Sequence, residues 1–154
     1  MEDASRYLGE WIVGTETRQG RGRIVWANGS VYIGWWRDDM ANGEGQLTHI
    51  NGEMYKGNWE NDRYAGFGVY NYPNGTEYKG EWQEDMKHGR GMEVSGDGTI
   101  YEGQYQNGMK HGVGKFTLPD SSTYEGDFEQ NHISGNGRFA WSNGKVYDGD
   151  WLES

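Results

Sequence analysis

The 154-residue chain has no cysteine and only two prolines, and no apolar run in it approaches the length of a membrane span. Without cysteine, neither a disulfide framework nor a thiolate zinc site can form. Without a long apolar run, neither a signal-peptide core nor a transmembrane helix is expected, and the expected location is the cytoplasm. Aliphatic residues are scarce too. Leu, Ile, Val and Phe together number 21, and the net charge is −10, a combination that on composition alone points to disorder. The aromatics reverse that reading, because 11 Tyr, 8 Trp and 4 Phe supply large buried areas with few rotamers to freeze. No basic patch interrupts the acidic balance, which argues against nucleic acid and disfavours an anionic membrane surface.

What the chain has in excess is glycine, 27 residues of it, and the glycines are periodic. Tyr-x-Gly-x-aromatic recurs seven times, beginning at Tyr7, Tyr32, Tyr55, Tyr78, Tyr101, Tyr124 and Tyr147. From Tyr32 onward the tyrosines are spaced by 23 residues; the first interval is 25. A Gly-x-Gly pair follows each of the first six units, from Gly20/Gly22 to Gly135/Gly137. Fixed-period self-similarity of this kind is the mark of a repeat architecture.

The spacing dictates the local structure. Tyr, Gly and aromatic at i, i+2 and i+4 share one face of a strand, and the positions between them are mostly polar, as in Lys56/Asn58 and Glu125/Asp127. After each Gly-x-Gly the large side chains again alternate, as in Ile24/Trp26, Tyr70/Tyr72 and Phe139/Trp141, giving a return strand. Asn-Gly or Asp-Gly at 28–29, 51–52, 74–75, 97–98 and 143–144 supplies the positive φ of a tight turn. The expected fold is all-β: one elongated, curved antiparallel sheet of tandem 23-residue hairpins. A single array fills residues 1–154, with six full repeats from Tyr7 and the first strand of a seventh at 145–152. Glycine weakens a strand interior. Its repeated use is expected to leave room for an aromatic ring from a neighbouring strand to lie flat on the backbone.

The pattern Tyr-x-Gly-x-Trp, Gly-x-Gly, Asn/Asp-Gly at 23 residues resembles the MORN (membrane occupation and recognition nexus) repeat. Lys87-His88-Gly89 and Lys110-His111-Gly112 resemble that family's hairpin-loop signature. Two departures stand out: Ser121 replaces the turn glycine, and Glu93 occupies a position filled elsewhere by Ile, Leu, Tyr or Phe. The resemblance implies a non-catalytic interaction scaffold, in a cytoskeletal, ciliary or flagellar assembly, with a protein partner held as a peptide or helix in the groove, or with a second copy as a homodimer. It leaves open a regulatory array belonging to a lipid kinase or lysine methyltransferase, and a phosphoinositide-binding module.

No chemistry of catalysis is legible. The glycine pairs lack the Gly-Lys-Ser/Thr and the following helix of a phosphate-binding loop, so no cofactor is expected. His88 and His111 fall in equivalent positions one repeat apart, on the order of 10 Å across two strands, too far for one metal ion. Carboxylates in the Trp-to-Gly loops (Asp38/Asp39, Glu60/Asp62, Glu84/Asp85) read as a solvated edge or as a strip for a basic partner. Three candidate surfaces remain. One is the groove lined by Tyr32, Trp36, Tyr55, Trp59, Tyr78 and Trp82, with Tyr70 and Tyr72 opposite. The second is an outer patch of Leu8, Val25, Ile33 and Trp35, apolar where other repeats are polar. The third is the last strand, carrying Tyr147 and Trp151, whose open edge could pair with another chain.

Overall fold

The computed structural model describes residues 5–152. It contains thirteen antiparallel strands whose order in the sheet is that of the sequence, with β1 and β13 at the edges. They are β1 (Arg6–Trp11), β2 (Arg18–Val25), β3 (Val31–Arg37), β4 (Met40–Thr48), β5 (Met54–Glu60), β6 (Arg63–Asn71), β7 (Glu77–Gln83), β8 (Met86–Val94), β9 (Ile100–Gln106), β10 (Met109–Thr117), β11 (Thr123–Glu129), β12 (His132–Ala140) and β13 (Val146–Trp151). Among the described residues there is no helix, hence none long and apolar enough to cross a membrane. The strands group into two compact units, residues 1–73 with 82–85 and residues 74–81 with 86–154.

In unit 1 the tyrosine of each repeat is the keystone. Tyr32 and Tyr55 are 1% and 0% exposed, and each donates its hydroxyl to the carbonyl three residues on, Trp35 at 2.9 Å and Asn58 at 2.8 Å. That bond lays the ring along its own strand and across the next one. A Cβ at Gly34 would come within 2.5 Å of both the Tyr32 hydroxyl and the Cα of Gly45, and one at Gly45 would collide with the same ring. One tyrosine thus covers two glycines of its hairpin: the second glycine of the pair, where the ring comes from a neighbouring strand as expected, and the glycine of its own Tyr-x-Gly, which lies on the same strand. The first glycine of each pair does different work. Gly43 and Gly66 have φ of 88° and 59° and lie where the register of the preceding hairpin shifts, so they open the bulge that only a left-handed residue allows cheaply.

The tryptophans tie one repeat to the next. Tyr32 meets Trp36 and Trp59 edge-to-face at 5.2 and 5.0 Å, and Tyr55 meets Trp59 and Trp82 at 5.3 and 5.5 Å. Edge-to-face pairs add about 0.5–1.5 kcal/mol each beyond the area they bury. Trp59 and Trp82 also donate their indole N–H to the carbonyls of Gly45 and Gly68. Above the tyrosines, unit 1 fills the space with apolar groups: Tyr64 stacks on Tyr55 at 3.8 Å and contacts Tyr70 at 6.1 Å.

Unit 2 repeats the lattice. Tyr101 contacts Tyr105 and Phe128 edge-to-face at 5.2 and 5.1 Å, and Tyr124 contacts Phe128 and Trp151 at 5.3 and 5.5 Å. The space above the rings is filled differently. Glu93 points inward, and both its oxygens are taken: Lys87 Nζ reaches Oε2 at 2.5 Å and Lys110 Nζ reaches Oε1 at 3.1 Å. The two lysines lie over the rings of Tyr78 and Tyr101 at 4.8 and 5.2 Å. The departure at Glu93 is therefore matched by Lys87 and Lys110, which stand 23 residues apart at the position held by Ala41 and Tyr64 in unit 1. Burial alone would raise the Glu93 carboxyl, but hydrogen bonding and charge from Lys87, then Lys110, hold it below its ordinary value.

The two-residue hairpin loops are type I′ turns, with both φ positive: Asp38/Asp39 at 49° and 70°, Asn61/Asp62 at 49° and 67°, Asn107/Gly108 at 50° and 79°. Their second residues join neighbouring repeats. The Asp39, Asp62 and Asp85 amides donate to the carbonyls of Arg18, Ala41 and Tyr64. In return their carboxylates accept from those residues' own amides, at 3.1, 2.7 and 2.7 Å. The acidic loop residues read as a solvated strip thus include one carboxylate per loop that staples repeats. At the other departure, Ser121 keeps the left-handed turn (φ 69°) and its amide donates to Leu118 O, the bond that Gly98 makes to Ser95 O.

Candidate interaction surface

The lattice that buries the tyrosines also decides what faces away from them. In unit 1 the residues between the lattice positions form rows across the strands. One row runs Leu8, Arg23, Ile33, Gln46, Lys56, Val69. Beside it stand Arg21 opposite Trp35 and Glu44 opposite Asn58, then Phe67. Together they line a concavity of about 910 Å³. Its large apolar groups are open to solvent: Leu8 is 78% exposed, Ile33 53%, Trp35 41% and Phe67 58%.

The lining carries three cations, Arg21, Arg23 and Lys56, and one carboxylate, Glu44. Arg23 stands between Leu8 and Ile33, and Lys56 between Gln46 and Val69. The Arg21 guanidinium lies over the Trp35 ring at 5.1 Å, while the nearby Glu10 carboxylate accepts the Arg21 backbone amide. Among the described residues, none of these three cations has an ion pair. The matching row in unit 2 is built otherwise: Lys115 stands between Glu102 and Glu125, and Arg138 between Glu125 and Asp148.

Of the outer patch read from sequence, Leu8, Ile33 and Trp35 line the concavity; Val25 is half-buried opposite Val31, one row outside it. Phe67 and Val69 were missed. Their signal was available, since they follow Gly66 and Gly68 at positions that carry Glu44 and Gln46 one repeat earlier.

The groove residues are placed differently. Tyr32, Trp36, Tyr55, Trp59, Tyr78 and Trp82 are all at or below 7% exposed, so their rings are consumed by the core. Tyr70 and Tyr72 are half-buried, with rings 4.6 Å apart. On β13, Tyr147 is 43% exposed, while Trp151 donates to the Gly137 carbonyl at 3.0 Å. His88 and His111 line one shallow hollow of about 280 Å³ with Glu81 and Tyr105. Among the described residues, no three His, Asp or Glu side chains gather into a set that could hold a metal. Burial pushes the Tyr101 hydroxyl up to about 12, against the lowering effect of its bond to the Gln104 carbonyl, so it stays neutral at physiological pH.

A family model for the MORN repeat matches residues 17–31, 32–54, 55–77, 78–100, 101–123 and 124–146. The chain belongs to the MORN-repeat family. Five of these matches start at a lattice tyrosine, Tyr32, Tyr55, Tyr78, Tyr101 and Tyr124, while the first begins at residue 17; β1 lies before the matched residues and β13 at their end. No curated protein matches it. Among solved structures, the MORN array is similar to the TCP domain of Drosophila melanogaster SAS-4 (dCPAP), in complex with a proline-rich motif of Ana2 (dSTIL). The two are 14% identical, with 95% of this chain and 97% of that one covered, at a TM-score of 0.39. It is also similar to the TCP10 domain of Danio rerio CPAP in complex with a STIL peptide, 13% identical over 87% of this chain and 83% of that one, at a TM-score of 0.23. The peptides are those proteins' own partners.

Proposed function

We propose that this MORN array is a non-catalytic protein-binding module whose working surface is the outer face of unit 1. The observation that carries the reading is the concavity holding exposed Ile33, Trp35 and Phe67. Solvated sheet faces carry polar side chains, and clustered exposed apolar groups in a recess mark a contact site. The lattice rings support the same choice from the other side, because a ring 0–7% exposed has no surface left to offer. An aromatic beside arginine is also the composition that dominates binding energy at protein interfaces.

The test is a selection of peptides from a displayed random library on the immobilised chain. Selected peptides should lose at least about tenfold in affinity on Ile33→Ser/Trp35→Ser, a loss of about 1.4 kcal/mol or more, with the thermal unfolding of the variant little changed. Peptides that bind wild type and variant alike would place the working surface elsewhere.

A further inference from the structure

We infer that the segment received by this face is an acidic amphipathic helix of another protein. The inference rests on the docking reading above and adds the chemistry of the partner. Three side chains carry the charge argument. Arg21, Arg23 and Lys56 stand around Ile33, Trp35 and Phe67, against the one carboxylate of the lining, Glu44, in a chain of net charge −10, and no carboxylate pairs with any of the three among the described residues. Cations placed beside exposed apolar groups complement a ligand that brings carboxylates flanking an apolar stripe.

The helical form follows from the backbone. Strands β2 to β5 are paired on both sides, so this face offers side chains and no free ladder groups to an extended peptide. A helix satisfies its own backbone and presents an apolar stripe instead. From Leu8 on β1 to Val69 on β6 the concavity crosses six strands, about 24 Å at ~4.8 Å per strand. A helix of about 16 residues spans that distance.

Other occupants fit less well. A second copy would bring unit 2's carboxylates, but those already stand beside Lys115 and Arg138 in register. An anionic bilayer would meet only three cations, one recessed face and a chain whose overall charge repels it.

Three designed peptides of about 18 residues, sharing one leucine stripe and flanked by Glu, Gln or Lys, test the inference by titration calorimetry. The Glu helix should bind at least about tenfold tighter than the Lys helix and weaken as salt is raised. Arg21→Gln/Arg23→Gln/Lys56→Gln should level the order, and Arg21→Glu/Arg23→Glu/Lys56→Glu should reverse it. Equal binding of all three peptides would overturn the acidic partner and leave the docking face standing. Equal binding of a Glu peptide broken by central prolines would overturn the helix. Binding of none would overturn the inference outright, while the library selection would still judge the docking face by itself. Retention on vesicles of equimolar phosphatidylserine and phosphatidylcholine through the same three cations, without Glu-helix binding, would replace the partner by a membrane.

Discussion

Units 1 and 2 run the same lattice with different fillings. Both place a tyrosine over two glycines and set the next aromatic edge-on against it, as at Tyr55/Trp59 and Tyr101/Tyr105. Above the rings, unit 1 stacks Tyr64 on Tyr55, whereas unit 2 puts Glu93 between Lys87 and Lys110. On the outer face, unit 1 leaves Arg23 beside Leu8 and Ile33, whereas unit 2 alternates Glu102, Lys115, Glu125, Arg138 and Asp148. The lattice positions set the fold; the positions between them are free to differ, and there unit 1 gathers apolar groups among its cations whereas unit 2 alternates charges of opposite sign.

If the lattice is common, breaking it should cost the same in both units. Gly45→Ala and Gly114→Ala each drive a methyl into a tyrosine ring. Each should destabilise by about 3 kcal/mol or more, seen as a large fall in the melting temperature. Gly98→Ala, where the space is open but φ is 90°, should cost about 1–2 kcal/mol.

The fillings should respond differently. Glu93→Gln leaves two half-buried lysines without their counter-charge and should cost about 2–4 kcal/mol. Lys87→Ala/Glu93→Leu/Lys110→Ala, which gives unit 2 an apolar filling like that of unit 1, should recover most of that loss. The pH dependence follows from the lowered Glu93 value. Its stabilisation is complete above the ordinary carboxyl value of 4.5 and is lost as pH falls through the lower folded value. Acid unfolding of the triple variant should therefore have a shallower limb in that window than wild type. A staple is worth less: Asp62→Ala removes the acceptor of the Ala41 amide and should cost about 1 kcal/mol. The smallest change has the opposite sign. Ser121→Gly relieves a left-handed serine and should stabilise by about 1 kcal/mol, read as a rise in melting temperature.

Much of this is legible in the sequence. The 23-residue spacing gave the strands, and the alternation gave the faces: adjacent Trp35 and Trp36 point opposite ways, one 41% and the other 4% exposed. The exposed trio Leu8, Ile33 and Trp35 followed from the same alternation. Three things did not follow. A break in alternation is easy to see on the Tyr-x-Gly-x-aromatic strand but not beside the glycine pairs, which hid Phe67 and Val69. Glu93 looked like a flaw because its partners lie 6 and 17 residues away, beyond any local pattern. The groove residues looked available because spacing assigns a face but not the depth to which the next repeat's ring covers it.

The neighbouring tryptophans give the most direct test of where a partner sits. A nitrogen-15 spectrum of the indole N–H groups, recorded as a selected peptide is added, separates the two faces of β3. The docking account predicts that the Trp35 resonance moves while those of Trp36, Trp59 and Trp82 stay in place. Movement of Trp59 or Trp82 with Trp35 unchanged would put the partner on the ring-lined face and contradict it.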